Sequence, residues 1–330
     1  MDLPFVSIVI PTYSREEHLR KCLLSLAGQT YPQNKFEVIV IDDGSTDNTE
    51  AMIGELLHCV RHQLKYFTQE NQGVTNARNR GIKESSGSII GFTSDDVTAD
   101  PLWIDNAVKH FSNPDVGGVE GIIVATEKMN ITPFTHYTES LTPRRFMTAN
   151  IFYRKSILEG IAGFDKRFSL HIREDTDIAL TVLEKGYQIE FDDKVVIKHP
   201  AYMSEHWKIF KEAKNGYVEP LLYKKHKKSM NDYKKYNLER RTLIAIPYFY
   251  YGYYLAVPLL LLSIIFKLDI LFPVAAFSIS HIITLYARLR SKKISIKDFI
   301  VMNLIYLVIP YGRLYYIFLG CLKFRSFIFL

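Results

Sequence analysis

The sequence predicts an α/β domain built on a mostly parallel sheet, followed by membrane helices. Two observations carry this. Over roughly the first 200 residues, short continuous runs of apolar, β-branched residues alternate with segments of helical spacing, the pattern of buried parallel strands joined by helices. Beyond residue 242 the chain passes into long stretches almost free of formal charge. With 330 residues, 48% of them hydrophobic, and 21 Tyr and 21 Phe, a sizeable core is available and a disordered or solvating chain is excluded. The three cysteines, Cys22, Cys59 and Cys321, are odd in number and lack metal-ligand spacing, which fits a reducing compartment better than a disulfide scaffold.

Each element can be justified in order. Val6–Ile10 is a buried strand stopped by Pro11. Leu19, Cys22, Leu23 and Leu26 lie at helical spacing behind it. Phe36–Ile41 is the second strand and Asp42-Asp43-Gly44-Ser45 its turn. Asp47 and Glu50 have the spacing of a capping box for a helix carrying Met52, Ile53, Leu56 and Leu57. Leu64–Phe67 is a third strand, Asn76–Lys83 a helix and Ser88–Phe92 a fourth strand, after which Asp100-Pro101 reads as an N-cap with proline at the first helical position. Glu174, Asp175 and Asp177 open a helix that ends at Gly186, and Val195–Lys198 is a strand closed by His199. In such sheets ligands sit beyond the C-terminal strand ends. The polar groups there, Pro11-Thr12-Tyr13, Asp42-Asp43-Gly44 and Ser94-Asp95-Asp96, suit a nucleotide and a cation.

The C-terminal third reads as a membrane domain, residues 243–330, with helices expected at about 243–266, 268–289 and 299–322. Leu243–Phe266 carries no formal charge, and as a helix it would be roughly 36 Å long, enough to cross a ~30 Å hydrocarbon core. The second stretch, Ile270–Ala287, carries no formal charge and is broken only by the ionisable His281. The third contains Arg313, which is costly in lipid unless it snorkels or faces protein. Basic residues are concentrated at Lys224–Arg241 and again at Arg288–Lys297, whereas only Lys267 lies between the first two spans. The positive-inside rule therefore predicts a multi-pass protein of the inner membrane, with residues 1–225 and the second basic loop in the cytoplasm and 226–242 as a basic juxtamembrane segment drawn to anionic lipid. This membrane setting displaces a nucleic-acid partner as the reading of the basic run. Met1–Pro11 lacks a basic n-region and Val6–Ile10 is short for a signal-peptide core, so the N-terminal domain is expected to stay on the side where it is made.

The motifs Val6-Ser-Ile-Val-Ile-Pro-Thr-Tyr13, Val38-Ile-Val-Ile-Asp-Asp-Gly-Ser-Thr-Asp47, Gly73 through Asn76-Ala-Arg78-Asn79, Thr93-Ser-Asp-Asp96, and Gly163-Phe-Asp165 leading to Arg173-Glu-Asp-Thr-Asp177 follow one another over about residues 5–200. In this order and spacing the chain resembles the family 2 glycosyltransferases, which use the GT-A (Rossmann-like) nucleotide-sugar fold. The resemblance implies that Asp43 accepts a hydrogen bond from the nucleobase while Pro11 and Tyr13 pack around it, and that Arg78 and Asp95 contact the nucleotide. Asp95 and Asp96 would hold Mg²⁺ or Mn²⁺, with His199 as a further ligand, and Thr93 stands where many relatives carry a first acid. Asp175 would be the general base of an inverting displacement. Ordinary roles compete: Asp43 as a turn aspartate, Arg78 as a solvated helix residue, and Glu174, Asp175 and Asp177 as acids favoured at a helix start. Asn150 resembles a residue of the strand lining the acceptor side.

The function so implied is transfer of a sugar, UDP-linked by family tendency, to a hydroxyl of a glycan or lipid-linked acceptor in cell-surface polysaccharide or glycoconjugate synthesis. A polyprenyl-phosphate sugar synthase is the near rival; its acceptor is already ionised and needs no base, so the Glu174-Asp175 pair favours the hydroxyl. Processive synthases carry Gln-x-x-Arg-Trp, and this chain has Ser204-Glu-His-Trp207. A catalytically inactive nucleotide-binding membrane scaffold is the further alternative, against which the intact Asp43, Asp95, Asp96 and Asp175 argue.

Overall fold

The computed structural model describes residues 3–57, 59–60, 62–126, 135–136, 139–168, 172–203, 211–229, 251–267, 269–289 and 295–326. By their contacts the residues fall into two compact units, Met1–Glu127 with Tyr137–Ala201, and Lys128–His136 with Tyr202–Leu330.

In the first unit β1 (Val6–Thr12), β2 (Phe36–Asp42), β3 (Gln63–Thr68) and β4 (Ile89–Thr93) form where the apolar runs place them, with α1 (Glu16–Ala27), α2 (Thr49–Leu56) and α3 (Val74–Glu84) between. β1 and β2 are buried almost throughout because helices cover both faces, hence their lack of alternation. Val6, Ile8 and Ile10 with Val38 and Val40 join the core of Leu19, Leu23, Met52 and Ile53. On the opposite face Ile39 and Ile41 pack with Ala77 of α3, and Gly81 lies so close to Val9 that a Cβ there would collide with it. The expected capping box is absent. Asp47 instead accepts from Thr49 N through Oδ1 and from Glu16 N through Oδ2, serving the starts of two helices.

The chain continues through β5 (Thr98–Ala99), α4 (Trp103–Val108), β6 (Val116–Ala125), β7 (Thr135–His136), β8 (Asn150–Arg154), α5 (Lys155–Gly160), α6 (Glu174–Glu184) and β9 (Gln188–His199). α4 begins at Trp103, and Asp100 caps the turn before it through Leu102 N rather than a helix starting at Pro101. The eight-stranded sheet has the order β3-β2-β1-β4-β8-β6-β9-β5. β1 is parallel to β2 and β4, β8 is antiparallel to β4 and β6, and β6 is parallel to β9. The strands β1, β2, β4 and β9 therefore all run the same way, and Thr12, Asp42, Thr93 and His199 end on one edge of the sheet. Asn150 clasps that region: its Nδ2 donates to Ile122 O and Val195 O while its Oδ1 accepts from Trp103 Nε1.

In the second unit β10 (Tyr202–Met203) pairs with β7, and α7 (Lys211–Lys214) and α8 (Glu219–Lys225) lead to the apolar helices α9 (Tyr251–Ile265), α10 (Leu271–Leu289) and α11 (Ile296–Phe324). α11, with 29 residues, is the one described helix long and apolar enough to cross a membrane. Of the three expected spans only the third is matched by such a helix among the described residues; the other two appear as shorter apolar helices, so the multi-pass expectation is not supported here. Arg313 of α11 faces Glu219 at 3.5 Å, which removes the objection to the charge. The first expected span is described only as the 15 residues of α9; residues 243–250, most of the basic juxtamembrane segment, and Ser204–Trp207 lie outside the described residues. Tyr253 Oη donates to His281 Nδ1 at 2.6 Å, and His281 Nε2 donates to Asn303 Oδ1 at 3.1 Å, so one polar chain joins α9, α10 and α11.

Candidate active site

Three groups of side chains collect around the strand ends. The first is built on Asp95 and Asp96, in the loop after β4. Thr12, the last residue of β1, donates its hydroxyl to Asp95 Oδ2 at 2.8 Å. Arg15, between β1 and α1, places Nη1 3.1 Å from Asp95 Oδ1 and 2.9 Å from Asp96 Oδ2. His199, ending β9, brings Nε2 to 3.3 Å from Asp96 Oδ1. Both aspartates and the histidine are buried. Burial pushes the Asp96 carboxyl up, but His199 and Arg15 outweigh it and hold the group below the usual carboxylate range. Asp95 goes the other way: burial raises it, with the like charge of Asp96 adding to the rise and Arg15 opposing it. Burial pulls the His199 ring down, and Asp96 overcomes this to raise it.

The second group sits at the start of α6. Arg78, on α3, donates through Nη1 to Glu174 Oε1 at 2.9 Å and lies over the Phe164 ring at 5.6 Å from its centroid. The guanidinium is paired with Glu174 and buried with it. Beside this pair, Asp175 accepts from Thr176 N at 2.6 Å. Burial, and then the charge of Glu174, push the Asp175 carboxyl up to about 6. The turn before the helix is clamped by Asn79, whose Oδ1 accepts from Phe164 N and whose Nδ2 donates to Phe164 O, both at 2.8 Å.

The third group is the Asp42-Asp43 turn. Asp43 is buried and already accepts three hydrogen bonds, from Gln69 Nε2 at 2.7 Å, Gln72 N at 2.9 Å and Gly73 N at 2.7 Å. It therefore caps the loop leading into α3, the helix that carries Arg78. A carboxylate offers about four acceptor positions, so one remains. Asp42 is held by Ser45 N and by the Tyr66 hydroxyl at 2.6 Å. Tyr13 is half exposed beside this edge, and Pro11 partly buried.

Sequence reasoning brought out the carboxylates and His199 but missed their partners. Thr12 stood inside a quoted motif, and Arg15 follows the same strand end by three residues; position alone was the available signal. Glu120 gave none. Its buried carboxylate accepts from the amides of Arg144, Arg145 and Phe146 at 2.7, 2.8 and 2.5 Å, a loop in which Arg144 and Phe146 take left-handed backbone angles, and burial pushes it up to about 7.

A family model described as glycosyl transferase family 2 matches residues 7–174, about half of the chain and all three groups except His199 and Asp175. The chain belongs to glycosyl transferase family 2. Among curated relatives, the glycosyltransferase AglE of Haloferax volcanii is 31% identical over 210 residues, covering 60% of this chain and 68% of AglE. A glucosyl-dolichyl phosphate glucuronosyltransferase of the same organism is 25% identical over 264 residues, covering 70% of this chain and 82% of that enzyme. Among solved structures, the mannosyltransferase PcManGT of Pyrobaculum calidifontis, in complex with GDP-Man and Mn²⁺, superposes with a TM-score of 0.59 at 16% identity over 98% of this chain and 88% of its own. At that identity the likeness establishes the GT-A-like fold.

The family implies a divalent cation, and the residues present fit one. His199 Nδ1 lies 2.8 Å from the Pro200 carbonyl, an acceptor, so Nδ1 carries a proton, while Nε2 faces Asp96 Oδ1 at 3.3 Å and Asp96 favours the charged ring. Asp96 Oδ1 is buried and makes no hydrogen bond. A cation entering here would take the place of the Nε2 proton, leaving the imidazole nitrogen and the Asp96 oxygen as its ligands. Among the described residues no group of three or more His, Cys, Asp or Glu side chains is gathered closely enough to hold a metal ion, so a cation beside Asp95 and Asp96 would depend on substrate phosphate and water for its remaining ligands.

Proposed function

We propose that this transferase moves a sugar from a nucleotide-sugar to a hydroxyl of a lipid-linked glycan, with inversion, at a membrane surface. The reading is supported by the place of Asp175 at the start of α6, beside the Arg78–Glu174 pair, where burial and the charge of Glu174 raise its carboxyl to about 6, a value suited to a base. The acceptor oxygen attacks the anomeric carbon and its proton passes to Asp175. The bond from that carbon to the diphosphate oxygen breaks on the opposite face, and a nucleoside diphosphate leaves. Tyr13 and Pro11 would flank the base, and the fourth acceptor position of Asp43 would take its ring N–H. Asp95, Asp96 and His199 would hold the divalent cation, which when bound neutralises charge on the departing diphosphate. Arg78 acts on this chemistry through Glu174.

The membrane part of the proposal rests on the second unit. Ile264, Ile265, Leu271 and Phe272 are all more than 60% exposed, while Tyr253, His281 and Asn303 hydrogen-bond among themselves. A surface that is apolar outside and polar within suits lipid as its solvent. The relative that acts on glucosyl-dolichyl phosphate uses a lipid-linked sugar, which supports the same acceptor class here.

The test is a panel of nucleotide-sugars, UDP-linked ones first, incubated with the detergent-purified protein and lipid-linked acceptors, with Mn²⁺ or EDTA, and scored for nucleotide release and product. Loss of turnover in EDTA and in Asp175→Asn is expected. Undiminished turnover in EDTA removes the cation role. Full activity of Asp175→Asn removes the base and returns the reading to a polyprenyl-phosphate acceptor.

A further inference from the structure

Arg15 stands apart from the other residues of the acidic group. Asp95 and Asp96 are fixed in the fold, each with a side chain no more than 7% exposed, and Thr12 and His199 hold them from the protein side. Arg15 comes from the opposite direction, on an arm 44% exposed. A single nitrogen, Nη1, is shared by Asp95 Oδ1 and Asp96 Oδ2 at 3.1 and 2.9 Å. Two carboxylate oxygens from adjacent residues thus converge on one point, and a positive charge of the protein's own occupies it. Asp96 presents its other oxygen, buried and without a hydrogen bond, toward His199.

We propose that Arg15 is a resident stand-in for the divalent cation: it holds the Asp95 and Asp96 oxygens together and neutralised in the free enzyme, and must swing out for the cation to enter. The proposal rests on the reading of Asp95, Asp96 and His199 as the cation site. Two positive centres cannot share the point where the oxygens meet, because their repulsion at such a distance is large in a buried setting. The carboxylates are held in the fold, whereas the arginine arm is the more exposed member of the group. Its displacement leaves a guanidinium beside the strand-end crevice, where the natural partner is a diphosphate, since the fork of donors matches phosphate oxygens. The nucleotide then supplies both what the cation needs, phosphate oxygens, and what the released arginine needs, an anion. Cation and nucleotide should consequently load together, and the cation alone should bind poorly.

The experiment measures Mn²⁺ binding rather than turnover, by the electron paramagnetic resonance signal of free Mn²⁺ in titrations of the full chain in detergent, with and without UDP or GDP. Without nucleotide, Arg15→Ala is expected to bind Mn²⁺ up to about fivefold more tightly than the unaltered protein, the scale set by one half-exposed ion-pairing arm. Adding nucleoside diphosphate should tighten Mn²⁺ binding more in the unaltered protein than in the variant, as reciprocal coupling requires. Arg15→Gln, which retains hydrogen bonding and drops the charge, repeats the test should the alanine variant not fold. Equal or weaker Mn²⁺ binding in both variants without nucleotide overturns the stand-in role. An Asp96→Asn control separates the two levels. Loss of Mn²⁺ binding there with Arg15 variants unchanged sinks only the stand-in, whereas retention of full binding in Asp96→Asn with nucleotide sinks the cation site itself.

Discussion

At the scale of single residues, Asp175 carries a conflict between stability and activity. Its carboxyl is lifted from the ordinary 3.8 to about 6, so the fold disfavours its charge. A group whose folded pKa lies above its unfolded value contributes stability at low pH and loses it as pH rises through that interval. At pH 8 the ionised side chain is therefore a burden on the fold. Asp175→Asn is expected to lower turnover by about 10²–10⁴-fold and to raise stability at pH 8 by up to about 3 kcal/mol, less where solvent reaches the carboxyl, as measured by rates and by denaturant unfolding. The acid limb of the rate profile should fall near pH 6. Glu174, Arg173, Arg78 and the Tyr153 hydroxyl are the charged or titratable groups acting on it. Glu174→Gln removes the neighbouring negative charge and should move that limb to lower pH, provided the buried arginine is still held. Arg78 gives the opposite test. Arg78→Met strands Glu174 in a buried place and should cost about 3–5 kcal/mol of stability, with Arg78→Lys recovering part of it. If Arg78 served only the nucleotide, melting would not move and donor KM alone would rise.

At the scale of elements, the legibility of the chain follows from how local each signal is. β1, β2, β4 and α1 to α3 could be read because apolar runs and helical spacing are properties of neighbours in sequence. The carboxylates after β2 and β4 could be read because parallel strands send their C-terminal ends to one edge. Arg15 over Asp95 and Asp96, Asp47 serving two helix starts, and Glu120 under the 144–146 loop could not, since each joins segments far apart in sequence. Capping spacing failed at Asp47 for the same reason, as a distant amide won the side chain. Gly163 shows how an element boundary sets the site. It has φ of +69°, and a Cβ there would collide with Asn79 Oδ1, the atom that holds Phe164 N. Gly163→Ala should therefore break the Asn79 clamp as well as strain the backbone, at a cost of about 1–3 kcal/mol. Thermal unfolding would show the loss. The same variant should slow turnover beyond what its melting explains, because the clamped turn also carries Phe164, on which Arg78 rests.

At the scale of the whole molecule, charge and hydropathy divide the labour. Basic residues flank the apolar stretches in the sequence, and Arg313 inside α11 is met by Glu219. Sequence alone made that arginine an argument against a span; its partner lies in a helix about ninety residues earlier, beyond the reach of any window. The exposed faces of α9, α10 and α11, with Ile296 at 83% and Leu304 at 62%, would be an aggregation surface in water. The expected outcome is that the expressed chain sediments with membranes, stays there through an alkaline carbonate wash and dissolves only in detergent. Protease should digest the sheet-containing unit in inverted vesicles and spare it in intact cells, as the basic flanks require. Release by carbonate would mean that the helices only lie on the bilayer, and protection in inverted vesicles would place the transferase on the other side of it. A Glu219→Leu variant sharpens the measurement. It leaves Arg313 uncompensated, so its α11 should lose resistance to extraction while the parent keeps it.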